Sequence, residues 1–489
     1  MGAVAAVVNK EGGDAAETVI SMLMALKHRS TGTYGIASAT RVNIEKSVEL
    51  LKRQNINSPV VIGYAFSKTL PQDKPQPIEL DGATLAFEGR LYPANPQLSD
   101  AEFAAEKLKQ NHEKAAKTFM EKFEGDFAFA VAEPNKLIAG RDPLGVCPLY
   151  YGENETVLAL ASERKALWKI GIRETGSFPP GELAIADKQG FEFKPVRSLV
   201  KRDIKRISVE DATMKLQTLL QRSIRERVSG LKDIAVAFSG GLDSSLIAFL
   251  AKQTGVNVHL VFVSLADRPE IEYAKKAADA LKLRVHVKLY DERDVERVLP
   301  KVLWLIEEAD PVKASIGVPF YWSAENAAKM GLKVMLAGQG ADELFGGYMR
   351  YLTACSRQGK ERAREMIIKD ILKMHEANFE RDSKICGYHN VELRLPFAMY
   401  QMAELAMNLP LELKIESTCN TNRKLVLRRV AKSVGLPEFI AKKPKKAMQY
   451  ATGVSKTLKK LAKRKGLSMR EYVKNVFKNA FPNGDEKTW

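Results

Sequence analysis

Ser239-Gly240-Gly241-Leu242-Asp243-Ser244-Ser245 follows an apolar run, Ile234 to Phe238, and opens a helical stretch. At the carboxyl end of a parallel strand, such glycines let the backbone approach a phosphate. Serine hydroxyls and amides donate to it, and the helix N-terminus adds partial positive charge. Ser239, Gly240, Gly241 and Ser244 are therefore candidate phosphate-binding residues. Asp243 would repel phosphate, yet it makes sense as a ligand of a magnesium ion bridging to pyrophosphate oxygens. The plain alternative is a glycine-rich turn with Asp243 or Ser244 as N-cap. The residues do not follow the Walker-type pattern, so a triphosphate hydrolase of that kind is not indicated.

A second stretch, Leu336 to Tyr348, reads Leu-Ala-Gly-Gln-Gly-Ala-Asp-Glu-Leu-Phe-Gly-Gly-Tyr and also follows a β-like run, Lys333 to Ala337. Two adjacent acids flanked by glycines are not core composition. A loop at a neighbouring strand end would set Asp342 across one magnesium site from Asp243. A tight turn with solvated carboxylates is the competing explanation.

Two kinds of pattern must position these loops, and they change near residues 195 to 208. Before the change, short β-like runs dominate: Val4 to Val8, Val60 to Ala65, Ala83 to Phe87, Phe127 to Val131, Lys136 to Ala139 and Glu182 to Ile185. Helical periodicity covers Ala15 to Lys27 and Ser99 to Phe123. This predicts an α+β layered domain over 1–200. After it, strands and helices alternate: Ile234 to Phe238 then Ser244 to Gln253, His259 to Leu265 then Ile271 to Leu281, and Arg284 to Leu289 then a helix to Glu308. That alternation predicts an α/β domain over 201–489, with a parallel sheet covered on both faces.

Composition narrows the class. The chain has 489 residues, 45% hydrophobic and 28% charged, which is ordinary globular usage. Its four cysteines (147, 355, 386 and 419) form no C-x-x-C pair and do not cluster with the six histidines, so neither a disulfide scaffold nor a structural zinc site is expected. No apolar run approaches membrane-spanning length, and the start lacks a signal-peptide pattern, so the expectation is a cytoplasmic protein without a membrane partner. A net charge of +17 attracts polyanions without naming one. Ten Lys or Arg and no carboxylate fall between Lys442 and Lys465, by default a solvated helix face.

At this point the chain resembles the glutamine-dependent asparagine synthetases and their β-lactam synthetase relatives, from its first residues to about Ser455. The two loops above carry the resemblance, with Glu392-Leu393-Arg394-Leu395-Pro396-Phe397 and Lys443-Pro444-Lys445 in the same order as in that family. It implies an Ntn-type amidohydrolase-like first domain and a PP-loop second domain of the adenine nucleotide α-hydrolase kind. The implied reaction uses ATP and Mg²⁺: a substrate carboxylate attacks the α-phosphate, pyrophosphate leaves, and an amine displaces AMP. The resemblance also implies that Asp243 and Asp342 hold the metal and that Lys445 is the cation facing the transition state. Val263 and Gly338 match positions that hold the adenine, and Glu392 and Arg394 would contact substrate, unless they form a buried ion pair. Gln339 departs from the family, where a carboxylate or a tyrosine is usual, and an amide cannot serve as a general base.

The front half resembles the family's amidohydrolase domain at His28-Arg29, Glu88 to Tyr92, Phe123 to Phe129, Arg141 to Gly145, Ala161 to Glu163 and Pro179 to Gly181. Its chemistry needs a cysteine at position 2, and this chain has Gly2. The family's N-G-E stretch reads Glu88-Gly89-Arg90 here, which reverses both polarities. The expectation is a degenerate domain that does not hydrolyse glutamine. Nitrogen would then come from free ammonia, another amine substrate, a separate glutaminase partner or the substrate itself. The carboxylic acid, aspartate first among them, and the oligomeric state, a homodimer included, stay open. The competing class is a PP-loop protein that modifies or binds RNA, which the charge suggests but which usually carries a cysteine pair or an added RNA-binding module.

Overall fold

Alternating apolar side chains build the first of two units into which the chain divides, Met1–Ser198 and Leu199–Trp489. The computed structural model describes residues 2–53, 56–201, 207–416 and 422–481. In the first unit, strands Gly176–Ser177, Tyr150–Glu153, Val157–Ala161, Ala3–Asn9, Val60–Phe66, Thr33–Ser38 and Arg41–Glu45 form one sheet in that order. Gly190–Pro195, Glu182–Asp187, Leu137–Arg141, Glu124–Ala132, Thr84–Tyr92 and Ile78–Glu79 form the other, and both are antiparallel. Because strand side chains alternate, Val4, Ala6 and Val8 point into the same buried cluster as Ala86, Ala128, Ala130 and Ala184 of the second sheet. Ala3, Ala5 and Val7 point the other way, onto helix Ala16–Ala25. Phe87, Phe127 and Phe129 pack with Phe119 of helix His112–Lys122 on the far face. The result is a helix, sheet, sheet, helix layering, as the α+β expectation holds.

All six expected strands of this unit overlap observed strands, several of which run longer: Ala83 to Phe87 is part of Thr84–Tyr92, and Phe127 to Val131 is part of Glu124–Ala132. The expected helix Ser99 to Phe123 is instead two, Asp100–Lys107 and His112–Lys122. The first helix ends at Lys107, and the second starts after Asn111, whose φ of 48° is a left-handed conformation that asparagine tolerates better than most residues.

The second unit carries a five-stranded parallel sheet in the order Val285–Tyr290, Asn257–Leu265, Asp233–Ala237, Val334–Leu336, Glu392–Arg394. The chain winds outward from Asp233–Ala237 to one edge, then returns to build the other side. The order therefore reverses between Asp233–Ala237 and Val334–Leu336, and open α/β sheets bind ligands outside the carboxyl ends at such a reversal. Both chemistry-bearing loops leave the sheet there. Helices Leu242–Gln253, Glu270–Leu281, Glu292–Ile306 and Pro311–Lys329 cover it. No described helix is long and apolar enough to cross a membrane, and none of the described cysteines is in a disulfide; Cys419 lies outside the described residues.

The basic run does not form one solvated face. Lys443 to Lys446 lie in a loop that lines a cavity, the short helix Met448–Ala451 follows, and Val454–Arg464 is an amphipathic helix with Val454, Leu458, Leu461 and Ala462 buried.

Candidate active site

The phosphate loop is shaped from within. Gly240 takes φ 65°, where a side chain would be strained. Ser239 N–H donates to Ser244 Oγ at 3.2 Å, and Gly241 N–H donates to Ser239 Oγ at 3.2 Å, so the serines first hold the turn that presents the helix start of Leu242–Gln253. A Cβ on Gly338 would sit 3.0 Å from Asp243 Cβ, which packs the second loop directly against the first. Ser239, Gly241, Asp243, Ser244, Val263, Gly338, Asp342 and Lys445 all line one cavity of about 1200 Å³. Gly240 shapes the loop without lining it. The volume exceeds the 300–1000 Å³ typical of small-molecule sites.

Charge is concentrated at the junction of the two loops. Lys424 Nζ donates to both oxygens of Asp243 at 2.7 Å and lies 2.7 Å from Asp342 Oδ1. Lys445 Nζ lies 2.6 Å from Asp342 Oδ2 and 3.9 Å from Asp243 Oδ2. Burial alone would raise the Asp342 pKa, but Lys424 and Lys445 overcome it and hold the carboxyl below its ordinary range. Burial likewise opposes charge on Lys445, and Asp342 and Asp243 override it, keeping the ammonium protonated. Glu343 moves the other way: burial and the Asp342 charge raise its pKa, against hydrogen bonds from Tyr348 and Asn378.

One ammonium touching both aspartates is a direct test of whether they can share a cation, and they can. Asp342 Oδ1 is buried with no aligned hydrogen bond, and carboxylate oxygens are the donors magnesium prefers. No cluster of three or more His, Cys, Asp or Glu among the described residues forms a protein-only metal cage. Two carboxylates with substrate phosphates completing the shell fit magnesium chemistry.

Three of these charged residues escaped the sequence reading. Arg423 donates to Gly347 O at 2.8 Å, and Arg428 donates to Arg423 O at 2.7 Å and Lys443 O at 3.0 Å, so both brace the backbone around Lys445. Lys424 is 2% exposed. Their signal was a basic cluster at the start of an amphipathic helix, Leu425–Ser433.

Glu392 and Arg394 are corrected. They sit on the edge strand, where residues i and i+2 share a face, and Arg394 Nε donates to Glu392 Oε1 at 2.6 Å. Both are buried, neither lines the cavity, and Arg394 also bonds to Arg227 O. They make the buried ion pair that was their alternative, within the sheet and away from the cavity lining.

Lys443 lies 3.4 Å over the Tyr273 ring, and burial lowers its pKa to about 8. Its charge is full below that value and lost above it. If it helps hold the nucleotide, the KM for ATP climbs as pH rises through about 8, and Lys443→Arg, which stays charged, flattens the curve. Initial-rate measurements from pH 6.5 to 9 check this.

In the first unit the residues matching an amidohydrolase site form a buried ionic network. Arg29 donates to Gly2 O and Glu88 Oε1, each at 2.8 Å, and to Glu163 Oε1 at 3.0 Å. Ser162 Oγ donates to Glu88 Oε2 at 2.6 Å, and His28 and Lys165 pair with Glu163. A Cβ at Gly2 would meet Ala65 O at 2.4 Å and the Tyr64 ring at 2.5 Å. Arg90 is spent on Asp73, at 2.6 and 2.8 Å, and Asp100.

One chain thus holds a layered unit of two antiparallel sheets and a parallel-sheet unit whose two loops form a candidate nucleotide site, a two-unit class by fold. Comparison with known proteins gives the family. Residues 215–362 and 354–482 match the asparagine synthase model, and 70–169 match a glutamine amidotransferase domain. A Methanocaldococcus jannaschii protein with the provisional name asparagine synthetase 1 (glutamine-hydrolyzing) is 31% identical over 96% of this chain and 97% of its own length. Asparagine synthetase B (glutamine-hydrolyzing) of Escherichia coli K12 is 26% identical over 77% of this chain and 72% of its own. Asparagine synthetase 2 (glutamine-hydrolyzing) of Arabidopsis thaliana is 26% identical over 70% and 61%. The chain belongs to the asparagine synthase family of ATP-dependent carbon–nitrogen ligases.

Proposed function

We propose that the second unit adenylates a carboxylic acid, with aspartate as the substrate, and passes ammonia or another amine to it without hydrolysing glutamine. A carboxylate oxygen attacks the α-phosphorus of ATP and pyrophosphate departs. The amine nitrogen then bonds to the acyl carbon, the bond to AMP breaks, and one proton is lost. The observation that carries this reading is the meeting of Lys424 and Lys445 with Asp243 and Asp342 at the sheet's switch point. Asp243 and Asp342 would hold magnesium, which when bound offsets charge on the phosphates. Lys445, kept protonated by its two carboxylate neighbours, places fixed positive charge where negative charge builds.

The denial of glutamine hydrolysis rests on the first unit. Position 2 has no room for a thiol, and Glu88 puts a buried carboxylate where a developing oxyanion would need donors. The purified chain is expected to release no ammonia from glutamine above background. Gly2→Cys is not expected to restore it, since the new side chain meets Tyr64 and Ala65. Ammonia release by the wild-type chain refutes this part. The synthetase reading is tested by exchange of labelled pyrophosphate into ATP with magnesium and a panel of acids headed by aspartate, followed by AMP formation with ammonium chloride. Exchange with no acid on the panel counts against it.

A further inference from the structure

Gln339 stands on the cavity wall between the glycines of the second loop, half-buried. Its Nε2 amide donates to Asp382 Oδ2. Asp382 is fully buried and held by its neighbour: Arg381 Nε donates to Oδ1 at 2.7 Å and Arg381 Nη2 to Oδ2 at 2.9 Å. Arg381 is itself anchored to Ala377 O at 3.0 Å and Asn378 Oδ1 at 3.3 Å. Those two residues belong to a π-helical turn, His375–Phe379, a local widening that recurs at functional sites.

This chain of bonds fixes which end of the Gln339 amide faces the cavity. A carboxylate bound to a guanidinium can only accept, so the NH₂ of Gln339 must turn toward Asp382, and the carbonyl Oε1 is left without a partner among the described residues. The acids nearby are already engaged: Asp370 with Arg350 at 2.6 Å, and Glu343 with Tyr348 and Asn378. The cavity therefore offers a neutral acceptor of fixed direction, three residues from Asp342. A neutral carbonyl accepts from an N–H without favouring the protonated, non-nucleophilic form of an amine, as a carboxylate would.

We propose that the Gln339 carbonyl receives the incoming ammonia or uncharged primary amine, and that Asp382, clamped by Arg381, is a positioning residue that keeps this carbonyl facing the cavity. The inference rests on the synthetase reading above. Gln339 orients the nucleophile through one N–H. It takes no proton, which passes to water as the nitrogen–carbon bond forms and the bond to AMP breaks.

Pyrophosphate exchange and net AMP formation against ammonium chloride in the full-length chain separate the two ideas. If the wild type forms no AMP from any acid, the reading fails and this inference falls with it. Given activity, Gln339→Leu is expected to raise the KM for ammonia by about tenfold, the loss of one hydrogen bond, with a much smaller change in kcat. Asp382→Asn, whose amide can also donate, frees the glutamine to flip and is expected to raise the same KM in the same direction. Gln339→Asn, a shorter carbonyl, recovers part of the loss seen in the leucine variant. A KM for ammonia within twofold of wild type in Gln339→Leu overturns the proposal. Should Asp382→Asn fail to fold, the two Gln339 variants decide alone, because they leave the Arg381–Asp382 pair intact.

Discussion

Lys445→Met is expected to lower AMP formation by ~100- to 1000-fold, the scale seen when one preorganised donor to a charged transition state is removed. The side chain reaches Asp342 at 2.6 Å, Asp243 at 3.9 Å, and open cavity beyond. Methionine keeps the apolar stem and deletes only the charge. Asp342 retains Lys424 at 2.7 Å, so the site does not gain an unpaired buried carboxylate. The fold should therefore survive, and the loss should sit in kcat with a smaller rise in KM for ATP. Stopped assays of AMP with circular dichroism as a folding control measure it. A variant within threefold of wild type would show that Lys445 merely shields the aspartates.

Arg29→Met has the largest expected effect on stability. Arg29 is fully buried and is the cation between Glu88 and Glu163. Breaking a buried pair by removing one partner typically costs about 3–5 kcal/mol, because the abandoned charge stays desolvated. Glu88 is the buried carboxylate left behind: burial already raises its pKa, and Arg29 opposes that most, ahead of the Ser162 hydrogen bond. Urea melts of wild type and variant should show the shift, while the synthetase unit supplies an internal reference. Replacing Glu88 together with Arg29, as Glu88→Gln, is expected to recover part of the loss, which a simple packing defect would not do.

Acid acts on the same network with a definite sign. Burial would raise the Glu163 pKa, but His28, Lys165 and Arg29 carry it well below the ordinary value. Its contribution to stability is thus full above the unfolded carboxylate range and is lost as pH falls through the folded value.

The parts of the site that were legible in the sequence are those whose chemistry is local. Ser239 to Ser244 and Gly338 to Tyr348 announce themselves because glycine, hydroxyl and carboxylate at fixed spacing have few other uses, and a strand ahead of each fixes where it emerges. Glu392 and Arg394 misled because a motif states which charges are present and not which way they face; on an edge strand, a two-residue spacing turned them toward each other. Lys424 was invisible for the opposite reason. It lies 181 residues from Asp243, and only the returning half of the sheet and the helix Leu425–Ser433 bring it home. The break between Lys107 and His112 shows the same limit in the first unit, where a short connection ending in left-handed Asn111 divides a periodic stretch.

The bridging of Asp243 and Asp342 by two lysines has a consequence for the sequence of encounters. Lys424 and Lys445 balance the charge of the pair of acids, so a bare divalent ion would have to displace a bonded ammonium. A triphosphate would supply compensating negative charge to Lys424 and Lys445, and Asp243 and Asp342 would then be available to hold magnesium beside it.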